Sequence, residues 1–183
     1  MLLALAGCCA NDICVCDDKL ADALCFRFQT GSDAASFQPS EVDTFYIVRI
    51  TPAATATRTA TTKDSVRQVL KLNDKGTALL RDTIVINNAS PFASSGTTKL
   101  NAYTYQITAY QTDKSAAGGR RRYTFGIKNI QLAGDYSATG CCTCYSNTFK
   151  QFDVSQRANS SSTETKPVTA PAAMPIITLL KKQ

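Results

Sequence analysis

The chain has 183 residues, 44% hydrophobic and 19% charged, with eight cysteines, no histidine and a formal charge of +6. That length supports one domain with a core of ordinary size. Without histidine, Ser-His-Asp and Cys-His nucleophile arrangements and imidazole-based zinc hydrolase sites are excluded. The charge is modest and spread along the chain, which argues for solubility rather than a nucleic-acid stripe.

The chain opens on an apolar run, Met1-Leu2-Leu3-Ala4-Leu5, followed by Ala6-Gly7-Cys8 and a polar, cysteine-rich segment. No other stretch approaches the roughly 18 apolar residues needed to span a bilayer. The remaining elements read as strands. Leu24 to Phe28 is short. Val42 to Ile50 is apolar on both faces and belongs in the middle of a sheet. Ser65 to Leu72 alternates, with Val66, Leu70 and Leu72 opposite Arg67 and Lys71. Leu79 to Ile86 follows a turn at Asn73-Asp74-Lys75-Gly76. Asn101 to Gln111 alternates most cleanly, with Tyr103, Tyr105, Ile107 and Ala109 on one face. Tyr123 to Leu132 begins with Tyr123, Phe125 and Ile127 and then switches to Ile130 and Leu132, which predicts a bulge near Asn129. Leu132-Ala133-Gly134-Asp135-Tyr136 reads as a turn with a faint tyrosine-corner pattern. Phe149 to Val154 is a further short strand.

Period-2 patterning with β-branched and aromatic residues, bounded by Gly, Asn, Asp and Ser turns, supports each strand. No window carries a helical stripe. The expected fold is all-β, an antiparallel β-sandwich of about seven to eight strands and immunoglobulin-like kind, with a partly open barrel as the alternative. The sandwich domain spans residues 22–154. Residues 155–174, rich in Ser, Thr, Ala and Pro, read as a flexible segment. Residues 175–183 carry a strand-like hexamer, Pro175-Ile176-Ile177-Thr178-Leu179-Leu180. It has three readings: a final strand folding back on its own sheet, a strand offered to a partner's open edge, or a disordered end. An apolar strand left exposed is an aggregation hazard, so pairing is expected.

The cysteines fall into two groups: Cys9, Cys14, Cys16 and Cys25 near the start, and Cys141, Cys142 and Cys144 much later. Eight cysteines in a chain of this size point to an oxidising compartment. The structural reading staples the N-terminal segment to the Cys-Cys-Thr-Cys loop. The pairing itself is not legible. The alternative is a thiolate site for zinc or Cu(I), although Cys-x-Cys and Cys-Cys-x-Cys are not the paired Cys-x-x-Cys of a zinc ribbon. The twelve aspartates are scattered at turns and strand ends, only Glu41 and Glu164 are glutamates, and no glycine-rich phosphate loop is present. No catalytic constellation and no cofactor site emerge, so the chain reads as non-enzymatic. Arg120-Arg121-Arg122, following Ser115-Ala116-Ala117-Gly118-Gly119, is the densest charge and is placed at a hairpin tip. It reads either as a solvated turn or as a contact for anionic headgroups or glycan phosphate. Nucleic acid is not expected, because no aromatic platform interleaves the arginines.

Leu5-Ala6-Gly7-Cys8 resembles a bacterial lipobox, and the chain is similar to small envelope lipoproteins of the Bacteroidota. The resemblance implies that residues 1–7 are the remnant of a signal peptide and that Cys8 becomes the lipidated N-terminus. Residues 8–21 would then be a cysteine-rich tether at the outer membrane, on its periplasmic or cell-surface face. It also implies seven remaining cysteines, at least one of them outside an intrachain pair. Acidic residues soon after the lipidated cysteine resemble a surface-export signal, with Asp12, Asp17 and Asp18 as candidates. Cys9 at the following position argues against inner-membrane retention. Asp64-Ser65-Val66 and Asp82-Thr83-Ile84 resemble the O-glycosylation tripeptide of that phylum.

Together these readings predict a lipid-anchored envelope protein whose sandwich binds a protein or glycan partner, as in an accessory subunit of an outer-membrane complex. A pilin-like or adhesin subunit assembling by strand exchange through its C-terminal segment is the second class, and a metal carrier the third.

Overall fold

A computed structural model describes residues 14, 16, 18–38, 42, 44–51, 63–69, 83–93, 98–111, 121–139, 142–157, 163–170 and 176–179. Among them a short helix, α1 (Asp18–Ala21), precedes nine strands. These are β1 (Leu24–Phe28), β2 (Thr44–Ile50), β3 (Lys63–Val69), β4 (Ile84–Ile86), β5 (Thr104–Gln111), β6 (Arg121–Thr139), β7 (Cys142–Arg157), β8 (Thr163–Ala170) and β9 (Ile176–Leu179). One sheet has the order β4-β1-β9 and the other β3-β2-β5-β6-β7-β8. No ladder among the described residues joins them, so the molecule is a sandwich rather than a partly open barrel.

The alternation read in the sequence builds the core. Tyr105, Ile107 and Ala109 of β5 and Tyr123, Phe125 and Ile127 of β6 are all buried, and they meet Phe26 and Phe28 from the opposite sheet. Phe28 packs edge-on against Phe37 and Phe45, with ring centroids 5.3 and 5.6 Å apart. Such edge-to-face pairs add about 1 kcal/mol each beyond the area they bury. β1 is buried along most of its length because β4 and β9 flank it and the six-stranded sheet covers it. The predicted bulge lies where the apolar pattern switches: the β6–β7 register shifts between Lys128 and Gln131, and Asn129 has φ 53°. Its side-chain amide donates to Asp153 Oδ2 at 2.6 Å.

Three readings change. First, β6 continues to Thr139, so Gly134-Asp135-Tyr136 is strand rather than a turn or tyrosine corner, and Tyr136 pairs with Tyr145 of β7. β7 likewise begins at Cys142, well before Phe149. Second, residues 163–170, read as part of a flexible segment, form β8 against Lys150 to Arg157. Pro167 is tolerated there because β8 is an edge strand, where a missing N–H donor can face outward. Third, β4 covers only Ile84–Ile86, and the Asn73–Gly76 turn and Leu79 to Asp82 lie outside the described residues. The C-terminal hexamer follows the first of its three readings: β9 adds to β1 in parallel, and Leu179 is buried.

Candidate functional site

β7 is sixteen residues long, but β8 pairs only with its second half, from Lys150 onward. The outer edge of the first half is met by the N-terminal segment instead. Cys14 is bonded to Cys142 and Cys16 to Cys144, with Cα–Cα distances of 5.4 and 5.5 Å. Both bonds span 128 residues of sequence. The two cysteine groups are therefore joined as staples, and these four sulfurs are not available as thiolate ligands. Among the described residues no group of three or more His, Cys, Asp or Glu side chains could hold a metal ion.

Immediately beyond the staples lies a buried polar cluster. The β6–β7 register passes from Ala133 opposite Phe149 to Gly134 opposite Asn147, so Thr148 is an extra residue. Two side chains three residues apart, Asn147 and Lys150, are consequently both buried, at 3% and 1% exposure. Asp22, following α1, is 3% exposed. Its Oδ1 accepts from the Tyr145 hydroxyl at 2.9 Å and from Asn147 Nδ2 at 2.9 Å. Lys150 Nζ donates to the carbonyls of Ala23 at 2.5 Å and Ala21 at 3.3 Å. Asn147 Oδ1 is the one buried side-chain polar atom among the described residues with no hydrogen-bond partner. Gly134 makes room for the arrangement: a Cβ there would run into the Tyr145 ring and the Ser146 carbonyl.

Burial sets the electrostatics. It lowers the Lys150 pKa, while Cys25 and Asp22 pull it back up. It raises the Cys25 thiol against an opposing pull from Lys150. Tyr145 is pushed up to about 12, by burial first and then by its hydrogen bond to Asp22. A buried ammonium without compensation is expensive; the two carbonyls and Asp22 supply that compensation.

The predicted site residues distribute as follows. Cys8, Cys9 and Cys141 lie outside the described residues, as do Asp12, Asp17 and Arg120. Cys25, a disulfide candidate in the sequence, is buried in β1, opposite Val85 of β4 and Ile176 of β9. Arg121 and Arg122 are not at a hairpin tip but in β6, opposite Gln111 and Tyr110 of β5. Arg122 is exposed, and its Nε donates to Thr124 Oγ1 at 3.3 Å. Asp18 opens α1. Asp64 pairs with Arg49 at 2.8 Å, Ser65 is exposed on β3, Thr83 is half-buried, Ile84 is buried, and Asp82 lies outside the described residues.

Asp22, Tyr145 and Asn147 carried no signal in the sequence. Lys150 did carry one: it shares parity with Phe152 and Val154, which places it on the apolar face of its strand. No helix among the described residues is long and apolar enough to cross a membrane. No family model, no curated protein and no solved structure matches the chain.

Proposed function

We propose that the chain is a non-enzymatic, lipid-anchored envelope protein whose β-sandwich presents a surface to a protein or glycan partner, as an accessory subunit of an outer-membrane complex. The observation that carries this reading is the pair of disulfides joining Cys14 and Cys16 to β7. Disulfides of this kind persist in oxidising compartments, which is where the lipobox-like Leu5-Ala6-Gly7-Cys8 would deliver the chain. Cys14 lies six residues beyond Cys8, a reach of about 20 Å at most. A lipid on Cys8 would therefore hold the β6–β7 hairpin close to the membrane.

β6 starts with Arg121 and Arg122 at its other end, about 60 Å of strand contour from Thr139. Arg122, which is exposed, then meets a partner, such as a glycan phosphate, rather than the protein's own membrane. The test is intact and peptide mass spectrometry of the unreduced protein taken from membranes of its native host. An acylated peptide beginning at Cys8 supports the reading; an unmodified N-terminus upstream of Cys8 overturns it.

A second reading, assembly by strand exchange, is favoured by one observation. β9 is a parallel addition at the edge of the three-stranded sheet, with Leu179 as its buried anchor, and a second copy could supply the same strand. Deleting residues 175–183 should then abolish assembly while leaving a soluble monomer. A chain that simply unfolds on deletion refutes strand exchange.

A further inference from the structure

We propose that the outer face of the six-stranded sheet is a docking platform for an acidic polysaccharide, one whose sugar rings carry carboxylates. The inference deepens the envelope-protein reading and rests on it, because an address outside the cytoplasm makes a polysaccharide the acidic polymer this face meets. Phe45, Ile47, Ile107, Tyr123 and Phe125 are buried in the core. The alternate residues of β2, β5 and β6 therefore lie on the face turned away from it. Strand pairing gathers residues there that are far apart in the chain. Arg67 is opposite Tyr46, Tyr46 opposite Thr108, Thr108 opposite Thr124, and Tyr110 opposite Arg122. Two tyrosines thus sit on the central strands with an exposed arginine on the strand to either side. In the sequence no aromatic residue interleaves the arginines; the sheet supplies two.

The Tyr46 and Tyr110 rings are 5.6 Å apart at 88°. Two rings at right angles cannot both lie flat on a sheet, so at least one stands up from it and presents an apolar wall. Thr108 is on the same face yet only 3% exposed, so the side chains around it close over it. Its hydroxyl lies 3.4 Å from that of Thr124. Arg122 is oriented by its Nε bond to Thr124 Oγ1 at 3.3 Å, which leaves its two terminal nitrogens uncommitted among the described residues. Arg67 has no ion pair there, because the one salt bridge among the described residues joins Arg49 to Asp64 on the other face. Lys63, opposite Ile50, and Lys128, opposite Asp153, are exposed and extend the basic face along the strands. Asp153 is already engaged by Asn129 Nδ2 at 2.6 Å. The charge complements an acidic ligand.

From β3 to β6 is three strand spacings, about 14 Å. A single sugar ring does not cover that span, so the two arginines meet different units of a polymer. Each guanidinium can take a carboxylate in a two-pronged fork, while the tyrosine wall between them packs against the apolar side of a ring. Apart from Val48, the outward residues of β2 and β5 near the tyrosines are Thr44, Gln106 and Thr108. The apolar, desolvated centre of a protein–protein interface is missing, whereas hydroxyls and amides suit a hydroxyl-rich ligand. Aromatics between cations also serve single-stranded nucleic acid, which the test must therefore include.

Isothermal titration calorimetry of the full, disulfide-intact chain with polygalacturonate, alginate, dextran and a single-stranded oligothymidine tests the proposal. At least one of the two uronate polymers should bind, and neutral dextran should not. Arg67→Gln, Arg122→Gln and Tyr110→Ala should each weaken that binding about tenfold at unchanged melting temperature. Arg27→Gln removes the same charge from the three-stranded sheet and should leave binding as it is. Binding of neither uronate polymer, tighter binding of the oligothymidine, or an equal loss in Arg27→Gln overturns the platform. Mass spectrometry of the N-terminal peptide from the same preparation keeps the two readings apart. An acylated Cys8 in a chain that ignores both uronate polymers refutes the platform and leaves the envelope reading standing. Uronate binding by a chain with an unmodified N-terminus refutes the anchor and keeps the platform.

Discussion

A methyl group at position 134 would collide with the Tyr145 ring and the Ser146 carbonyl, neither of which is a flexible side-chain end. Tyr145 is held in place by its bond to Asp22, so the backbone must give instead. Gly134→Ala should cost about 1–3 kcal/mol, read as a lower midpoint in chemical denaturation. Tyr145 itself predicts an alkaline signature. Its hydroxyl titrates near 10 in the unfolded chain and about 12 in the fold. Its contribution is therefore complete below pH 10 and is lost as pH rises through about 12, because the unfolded chain releases its proton first. Thermal melts from pH 8 to 12 should fall less steeply for Tyr145→Phe than for the wild type. Parallel curves would mean that the raised value carries no stability.

At the scale of elements, β9 tests how a terminal strand is held. It is four residues long, and only Leu179 is fully buried. Leu179→Ala should cost about 2–4 kcal/mol if the core cannot close over the gap, and hydrogen exchange should then rise along β1. The same scale shows why some elements were legible and others were not. β5 and the first half of β6 face the core on one side and solvent on the other, so their alternation is plain, and the bulge at Asn129 announces itself as a change of parity. The far halves of β6 and β7 leave the core: Ala133 to Ala138 are mostly exposed small or polar residues. A strand stabilised by ladder bonds and disulfides there has no apolar stripe to betray it. β8 carries Pro and Thr because an edge position tolerates them, and composition alone reads such a segment as loose. In the candidate site, the grouping of cysteines was visible but their partners were not, since pairing depends on register. Lys150 could be placed inward by parity, whereas Asp22 is brought to it only by the path of the chain between α1 and β1.

At the scale of the whole molecule, the two disulfides among the described residues form a ladder rather than two independent ties. Each alone closes a loop of 128 residues. Once one is formed, the other closes a ring of only about six residues. In the chain-entropy account, losing either alone costs about 2 kcal/mol, because its neighbour still constrains the large loop. Losing both should cost about 3 kcal/mol more than the sum of the single losses. Cys14→Ser, Cys16→Ser and the double variant, compared by denaturant melts, decide this. Additive losses would show that the bonds act through local contacts and not through the shared loop.

The staples also dictate how the molecule would answer to force. A pull arriving along the N-terminus enters β7 through sulfur and bypasses everything between Cys14 and Cys142. That shielded stretch amounts to about 450 Å of extended chain that tension cannot pay out while the bonds stand. Stretched from its ends, the protein would behave as a short leash knotted around an inextensible body. Only a reductant would release the hidden length.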